Sequence, residues 1–255
     1  MNYKFFCYNF MSVKSIDQMV KETNILINAT KQYNRKEAML VFVYLPFTAL
    51  HTVLSSVDRR YIKISAQNVC LGKQGSINGA ITLPMLKDLG IDMILTGSID
   101  RRLYCGETDE SAAEKYYTTL KSGLKATLCV GETNAETAND SANAVIRHQL
   151  EIGCSNIPED AIYRSAIIYQ PERSIGENGM LIEKNDLFQK IELIRNVLAQ
   201  VQPNIPEPLP VFYGGKMNAS EAVKSLKNDF LDGIFIDDRH WDLKCFIDVI
   251  HQVMS

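Results

Sequence analysis

The sequence predicts an α/β protein of the (β/α)8 barrel class, in a single domain spanning residues 1–255, and three observations carry that expectation. Eight short, continuously apolar runs recur along the chain, and amphipathic stretches or helical turns separate them. Eight βα units in about 250 residues is the size of one closed barrel. No low-complexity linker divides the repeat.

The apolar runs are "KFFCYNF", "AMLVFVYL", "YIKISAQN", "DMILTG", "KATLCVG", "SAIIYQ", "LPVFYGG" and "DGIFIDD". Their apolarity is continuous rather than alternating, as expected of parallel strands covered on both faces. The first helix is predicted in "SIDQMVKETNILINATKQY", with Ser15 and Gln18 as a capping box and Ile16, Val20, Thr23 and Ile27 on one face. The third crossover, around "LPMLKDLG", is the shortest, and Pro84 suits a first helical turn. In "NASEAVKSL", Asn218 and Glu221 have the same capping spacing. A last helix from Trp241 places Phe246, Ile247, Ile250, Val253 and Met254 on one stripe. A doubly wound open sheet is the alternative, but no G-x-G-x-x-G follows the first strand.

Composition narrows the class of function. The net charge of -3 and the absence of a basic block argue against nucleic acid or an anionic membrane as partner. No apolar run approaches the roughly eighteen residues of a membrane span, and the N-terminal stretch lacks a signal-peptide cleavage site. Six scattered cysteines without C-x-x-C spacing read as reduced thiols of a cytoplasmic protein. Nothing in the sequence calls for a cofactor or a metal.

In such barrels the reactive groups sit where strands end and βα loops begin. The strand ends here carry "TLCVGET", "GSIDRRLYCGETDE", "YQPERSIGENG", "YGGKMN" and "SAQN". In order and spacing these motifs resemble the triosephosphate isomerase family, a TIM barrel by definition, across essentially the whole chain. The resemblance implies that fold and a homodimer, through the loop "LGKQGSINGA" at 71–80, which keeps the family's length. Function has to be carried over residue by residue.

The family's reactive positions are all substituted. Its substrate-polarising lysine, two residues after Asn9, falls on Met11, and the nearest downstream lysine is Lys14. Its electrophilic histidine falls on Ser98, after a retained Gly97. Its base, the glutamate before the lid proline, is Gln170. The glutamate base and neutral histidine are the family's established machinery rather than something read from this chain. A primary amide cannot accept and return a proton, and general-base help alone is typically worth about 10²- to 10⁴-fold.

The phosphate-binding positions implied by the resemblance are mixed. Gly176, Gly214 and Gly215 persist, and the loop serine becomes Lys216. The Gly-Gly after strand eight becomes Asp237-Asp238, and a carboxylate about 4 Å from a phosphate charge costs roughly 4 kcal/mol at an effective dielectric near 20. The ligand expected in the barrel mouth is therefore a small molecule, cationic, amine-bearing or metal-bridged, rather than a phosphate. Asp237, Asp238 and His240 could instead be solvated loop residues without metal-ligand spacing.

Other polar residues have plain readings beside sharp ones. Glu172 could replace the lost base or simply be solvated on the lid. Cys129 reads as a core residue, and His51 and His148 as surface residues on helices. Arg101, Arg102, Glu107 and Glu132 match structural ion-pair positions of the family. The expectation is a barrel that has lost the family's isomerase activity and serves in ligand binding or interaction. The alternative is an aldose–ketose isomerase of a related sugar phosphate, using Glu172, Asp100 or the Asp237-Asp238 pair as base.

Overall fold

A computed structural model describes residues 3–11, 13–33, 39–71, 77–176, 178–204 and 207–255. The eight expected strands all form: β1 (Lys4–Asn9), β2 (Met39–Leu45), β3 (Lys63–Ala66), β4 (Met93–Thr96), β5 (Lys125–Val130), β6 (Ser165–Tyr169), β7 (Val211–Tyr213) and β8 (Gly233–Asp237). They close into a barrel in chain order, and each neighbouring pair is parallel. The circle is completed by β1 against β8, with Asn9 opposite Asp237.

The helices α1 (Ile16–Thr30), α2 (Phe47–Ser56), α3 (Leu83–Asp88), α4 (Ile99–Cys105), α5 (Asp109–Lys121), α6 (Asn134–Ala138), α7 (Ala142–Cys154), α8 (Lys184–Val201), α9 (Ala219–Lys227) and α10 (Leu243–Met254) follow the strands. On α8, Leu187, Ile191, Ile194, Val197 and Leu198 form the buried stripe that a 3.6-residue period predicts. Each such side chain contributes about 1.5–3 kcal/mol by leaving water.

Side chains alternate along every strand, so the core has two layers. Cys7, Phe42, Tyr44, Met93, Leu95, Cys129, Ala166, Ile168, Phe212 and Phe235 fill the barrel. The residues between them, such as Phe6, Tyr8, Ile234 and Ile236, pack outward in the cluster that includes the helices. This parity sets which loop residues can reach the mouth.

Local details depart from the sequence reading in three places. Ser15 and Gln18 do form the capping box, but the buried face of α1 centres on Met19, Thr23, Leu26, Ile27 and Thr30, with Ile16 and Val20 at its margin. Asn218 is the N-cap of α9 in extended backbone, yet its side chain makes no capping bond, and Glu221 lies 3.8 Å from Lys224 instead. The last helix begins after Asp242, whose carboxylate accepts the Cys245 N–H at 2.7 Å. Trp241 sits outside it, buried, with its indole N–H donated to the Met217 carbonyl at 2.9 Å.

Candidate functional site

The mouth at the C-terminal ends of the strands brings together Asn9, Gly97, Gln170, Gly214 and Asp237, each continuing the inward parity of its strand. Gly97 is held at φ 69°, in the left-handed region, and a Cβ there would lie 3.0 Å from the Cys129 carbonyl oxygen and from Arg102. Only glycine serves at that position. Its N–H is accepted at 3.0 Å by Glu107, a buried carboxylate that also meets Arg101 at 3.0 Å and Lys115. Burial pushes the Glu107 carboxyl up, but the two cations and the Gly97 N–H outweigh it and hold it below the ordinary range. Arg102 donates to the Gly97 carbonyl at 2.8 Å and pairs with Asp109. Glu132, in contrast, accepts the Tyr169 hydroxyl at 3.1 Å, so the expected ion pair is a neutral-donor hydrogen bond.

Gln170 is buried, and its carboxamide is used at both ends. Its oxygen accepts the Ile99 N–H at 3.3 Å, and its nitrogen donates to the Gly214 carbonyl at 3.4 Å. Only one orientation of the amide satisfies both backbone groups. A carboxylate could take the first bond but would present lone pairs to the second carbonyl.

The other two substituted positions offer no ionisable group. Met11 is half-buried, and its sulfur accepts from the Asn9 amide at 3.4 Å. Gln67 fixes that asparagine from the other side, donating to the Asn9 oxygen at 2.8 Å. Ser98 is the N-cap residue of α4 but makes no side-chain capping bond. Lys14 lies 2.6 Å from Glu22 and 3.3 Å from Asp238, and its ammonium is 5.2 Å from the centre of the Phe10 ring. Its charge is therefore spent on the structure.

Asp237 and Asp238, treated as one pair in the sequence, take different partners. Asp237 continues the inward parity of Phe235, whereas Asp238 falls on the outward side. Arg239 grips Asp237 with Nη2 2.7 Å from Oδ2 and Nε 3.2 Å from Oδ1, and reaches Asp100 at 3.6 Å. Desolvation, helped by Asp237 and opposed by Arg239, raises the Asp100 carboxyl above its ordinary value. Asp238 accepts the Met11 N–H at 3.2 Å, and burial raises its carboxyl too. His240 contacts the Gly176 carbonyl at 3.3 Å and stands 3.8 Å from Asp237. Among the described residues no three His, Cys, Asp or Glu side chains converge as a metal site would require.

Three backbone donors around the expected phosphate site are engaged internally. The Lys216 N–H goes to the Ser174 carbonyl at 2.8 Å, and the Asp238 N–H to the Asn9 carbonyl at 3.2 Å. The Arg239 N–H goes to the Asp237 carboxylate at 3.0 Å. Gly176 keeps φ 74°, and a Cβ on Gly215 would collide with the Ser174 hydroxyl. The Lys216 residue lines a cleft between α8 and α9.

Glu172 lies in a short helical turn (Glu172–Ser174) and accepts the Asn134 N–H at 2.7 Å, at the start of α6. That bond fixes it on the neighbouring loop. Cys129 is buried in the barrel, and burial pushes its thiol up, away from nucleophilic use. His51 and His148 are exposed. Of the loop at 71–80, residues 72–76 lie outside the described residues; its base is tied by Cys70 N–H to the Ile81 carbonyl at 2.8 Å. No helix among the described residues is long and apolar enough to cross a membrane.

A closed eightfold parallel barrel, with these motifs at its strand ends, defines the class: a (β/α)8 protein of the isomerase type. The family model for triosephosphate isomerase matches residues 6–253, and the chain belongs to that family. Among its relatives, an L-erythrulose-1-phosphate isomerase of Mesorhizobium japonicum is 33% identical over 216 residues, 84% of each chain. A triosephosphate isomerase of Lawsonia intracellularis is 30% identical over 84% of this chain and 85% of its own. One from Aquifex aeolicus is 27% identical over 93% of this chain and 96% of its own.

Proposed function

We propose that this barrel does not run the family's isomerisation and instead binds a small molecule in its mouth. The observation that carries the reading is the Gln170 carboxamide, committed to Ile99 and Gly214 where a proton-transferring carboxylate would be needed. Met11 and Ser98 supply neither a cation nor an imidazole, and Glu172 is tied to Asn134. Asp100 and Asp237 outnumber Arg239, so the mouth favours a cationic or amine-bearing ligand over a phosphate. We extend the proposal to a cytoplasmic homodimer built through the loop at 71–80, which sedimentation of the purified chain tests directly.

The deciding assay follows conversion of dihydroxyacetone phosphate by purified protein beside a mock preparation. The expected rate is that of the mock. Turnover of about 1 s⁻¹ or more, the low end of ordinary enzymes, overturns the reading.

A second reading draws on the relatives named for L-erythrulose 1-phosphate. There Asp100, at the mouth and with its carboxyl raised by desolvation, acts as base on a related ketose phosphate. The same assay with L-erythrulose 1-phosphate separates the two, because only this reading expects turnover that Asp100→Asn abolishes.

A further inference from the structure

Lys216 falls on a phosphate-binding position that the family resemblance implies, and it lines a cleft of about 440 Å³ on the outer side of the barrel, between α8 and α9. That volume lies within the roughly 300–1,000 Å³ range of small-molecule sites. The cleft is walled by Leu187, Met217 and a stacked aromatic pair, Phe188 and Phe230, with ring centres 5.4 Å apart and planes 18° from parallel. Phe188 is 52% exposed although it is a large apolar side chain on a helix with a well-filled core face. Leu181, next to it on the rim, is 51% exposed.

The charges of the cleft are three lysines, Lys184, Lys216 and Lys224, against two glutamates, Glu183 and Glu221. Lys224 and Glu221 lie 3.8 Å apart and offset one another. Lys184 and Lys216 have no ion-pair partner among the described residues. The Asn218 side chain, which also lines the cleft, makes no capping bond and keeps its donors available. With Glu183 also on the rim the surplus is one positive charge, and an apolar, aromatic floor beneath two ammonium groups without ion-pair partners is complementary to one kind of occupant.

We propose that the α8–α9 cleft is a second ligand site, and that it takes a small aromatic anion whose ring lies on Phe188 and whose carboxylate or equivalent meets Lys216. A ring on Phe188 extends a stack already formed with Phe230. The charge-assisted bond from lysine selects the anionic end. This site is separate from the mouth and does not depend on whether the mouth is catalytic.

The test uses 2-naphthoate as probe and its neutral isostere 2-naphthamide, titrated calorimetrically into the full chain. Saturable one-to-one binding of naphthoate is expected, with naphthamide weaker. Lys216→Gln should weaken naphthoate roughly tenfold and leave naphthamide unchanged, since a bond to a charged group is what is lost. Phe188→Ala, at an exposed position, should weaken both. Overhauser contacts between naphthoate ring protons and Phe188 give a readout without any substitution. No saturable binding up to about 10 mM, equal affinity for both probes, or binding indifferent to both substitutions would each overturn the proposal.

Discussion

Arg239 closes a two-point fork on Asp237, with Nη2 2.7 Å from one carboxylate oxygen and Nε 3.2 Å from the other. The fork occupies the end of β8, where the family resemblance implies two glycines and a phosphate. It converts an anion-binding strand end into a neutralised pair and leaves Asp100, 3.6 Å from the same guanidinium, as surplus negative charge. The proposed preference for a cationic ligand rests on that imbalance.

Removing the guanidinium should expose the cost of the buried carboxylate. Asp237 is 3% exposed, so Arg239→Met strips its guanidinium partner, leaving the residue 239 N–H and His240 at 3.8 Å, and is expected to destabilise by about 3–5 kcal/mol in urea unfolding. Adding Asp237→Asn should recover most of the loss. A single-variant loss within about 1 kcal/mol would mean the pair behaves as a surface salt bridge.

Gln170→Glu should lower stability by about 1–3 kcal/mol near pH 7, because the donor to the Gly214 carbonyl is replaced by a repelling oxygen. The new carboxyl would ionise late in the folded protein. Its penalty is then full above the folded pKa, is relieved as pH falls below that value and is gone below the unfolded one of roughly 4.3, so unfolding midpoints of variant and parent should converge at about pH 4.

Restoring the family residues at Met11, Ser98 and Gln170 together, as Lys, His and Glu, should leave dihydroxyacetone phosphate turnover within about tenfold of the parent. The reason lies elsewhere in the mouth: the Lys216, Asp238 and Arg239 N–H groups are already bonded within the protein. Strong recovery in a coupled assay would show that the mouth still accepts a triose phosphate.

Glu107→Gln should cost about 2–4 kcal/mol near neutrality, since it strips the charge facing Arg101 and Lys115 in a buried setting. The folded carboxyl lies below its ordinary value, so its contribution is present above the unfolded pKa of roughly 4.3 and is lost as pH falls through the folded one. Thermal unfolding of parent and variant should therefore differ most near neutrality and least in acid.

Gly97→Ala is expected to destabilise by about 1–3 kcal/mol from its left-handed backbone, and further from the crowding against the Cys129 carbonyl. Denaturant midpoints measure it; a neutral effect would mean that the loop before α4 can move.

Much of the fold is legible in the sequence. The eight apolar runs, the capping box at Ser15 and the short helix at Pro84 follow from local periodicity and capping chemistry. The significance of Met11, Ser98 and Gln170 is what the family resemblance implies for those places in the motifs. The division of Asp237 from Asp238 is legible in strand parity, which from Phe235 places one inward and the next outward. The Asn218 cap failed for a related reason: spacing permits the bond, while the side chain's surroundings decide whether it forms.

The sequence by itself determined the eight barrel strands, because their apolar patterning is local, while the residue types at Met11, Ser98 and Gln170 bear on function only through the family resemblance. The tertiary structure alone decided that Gln170 bridges Ile99 and Gly214, that Arg239 joins Asp237 to Asp100, and that Lys216 lines the α8–α9 cleft. Those contacts join residues on different loops, or depend on side-chain rotamers. Their geometry is set only when the closed barrel brings the strand ends into one ring.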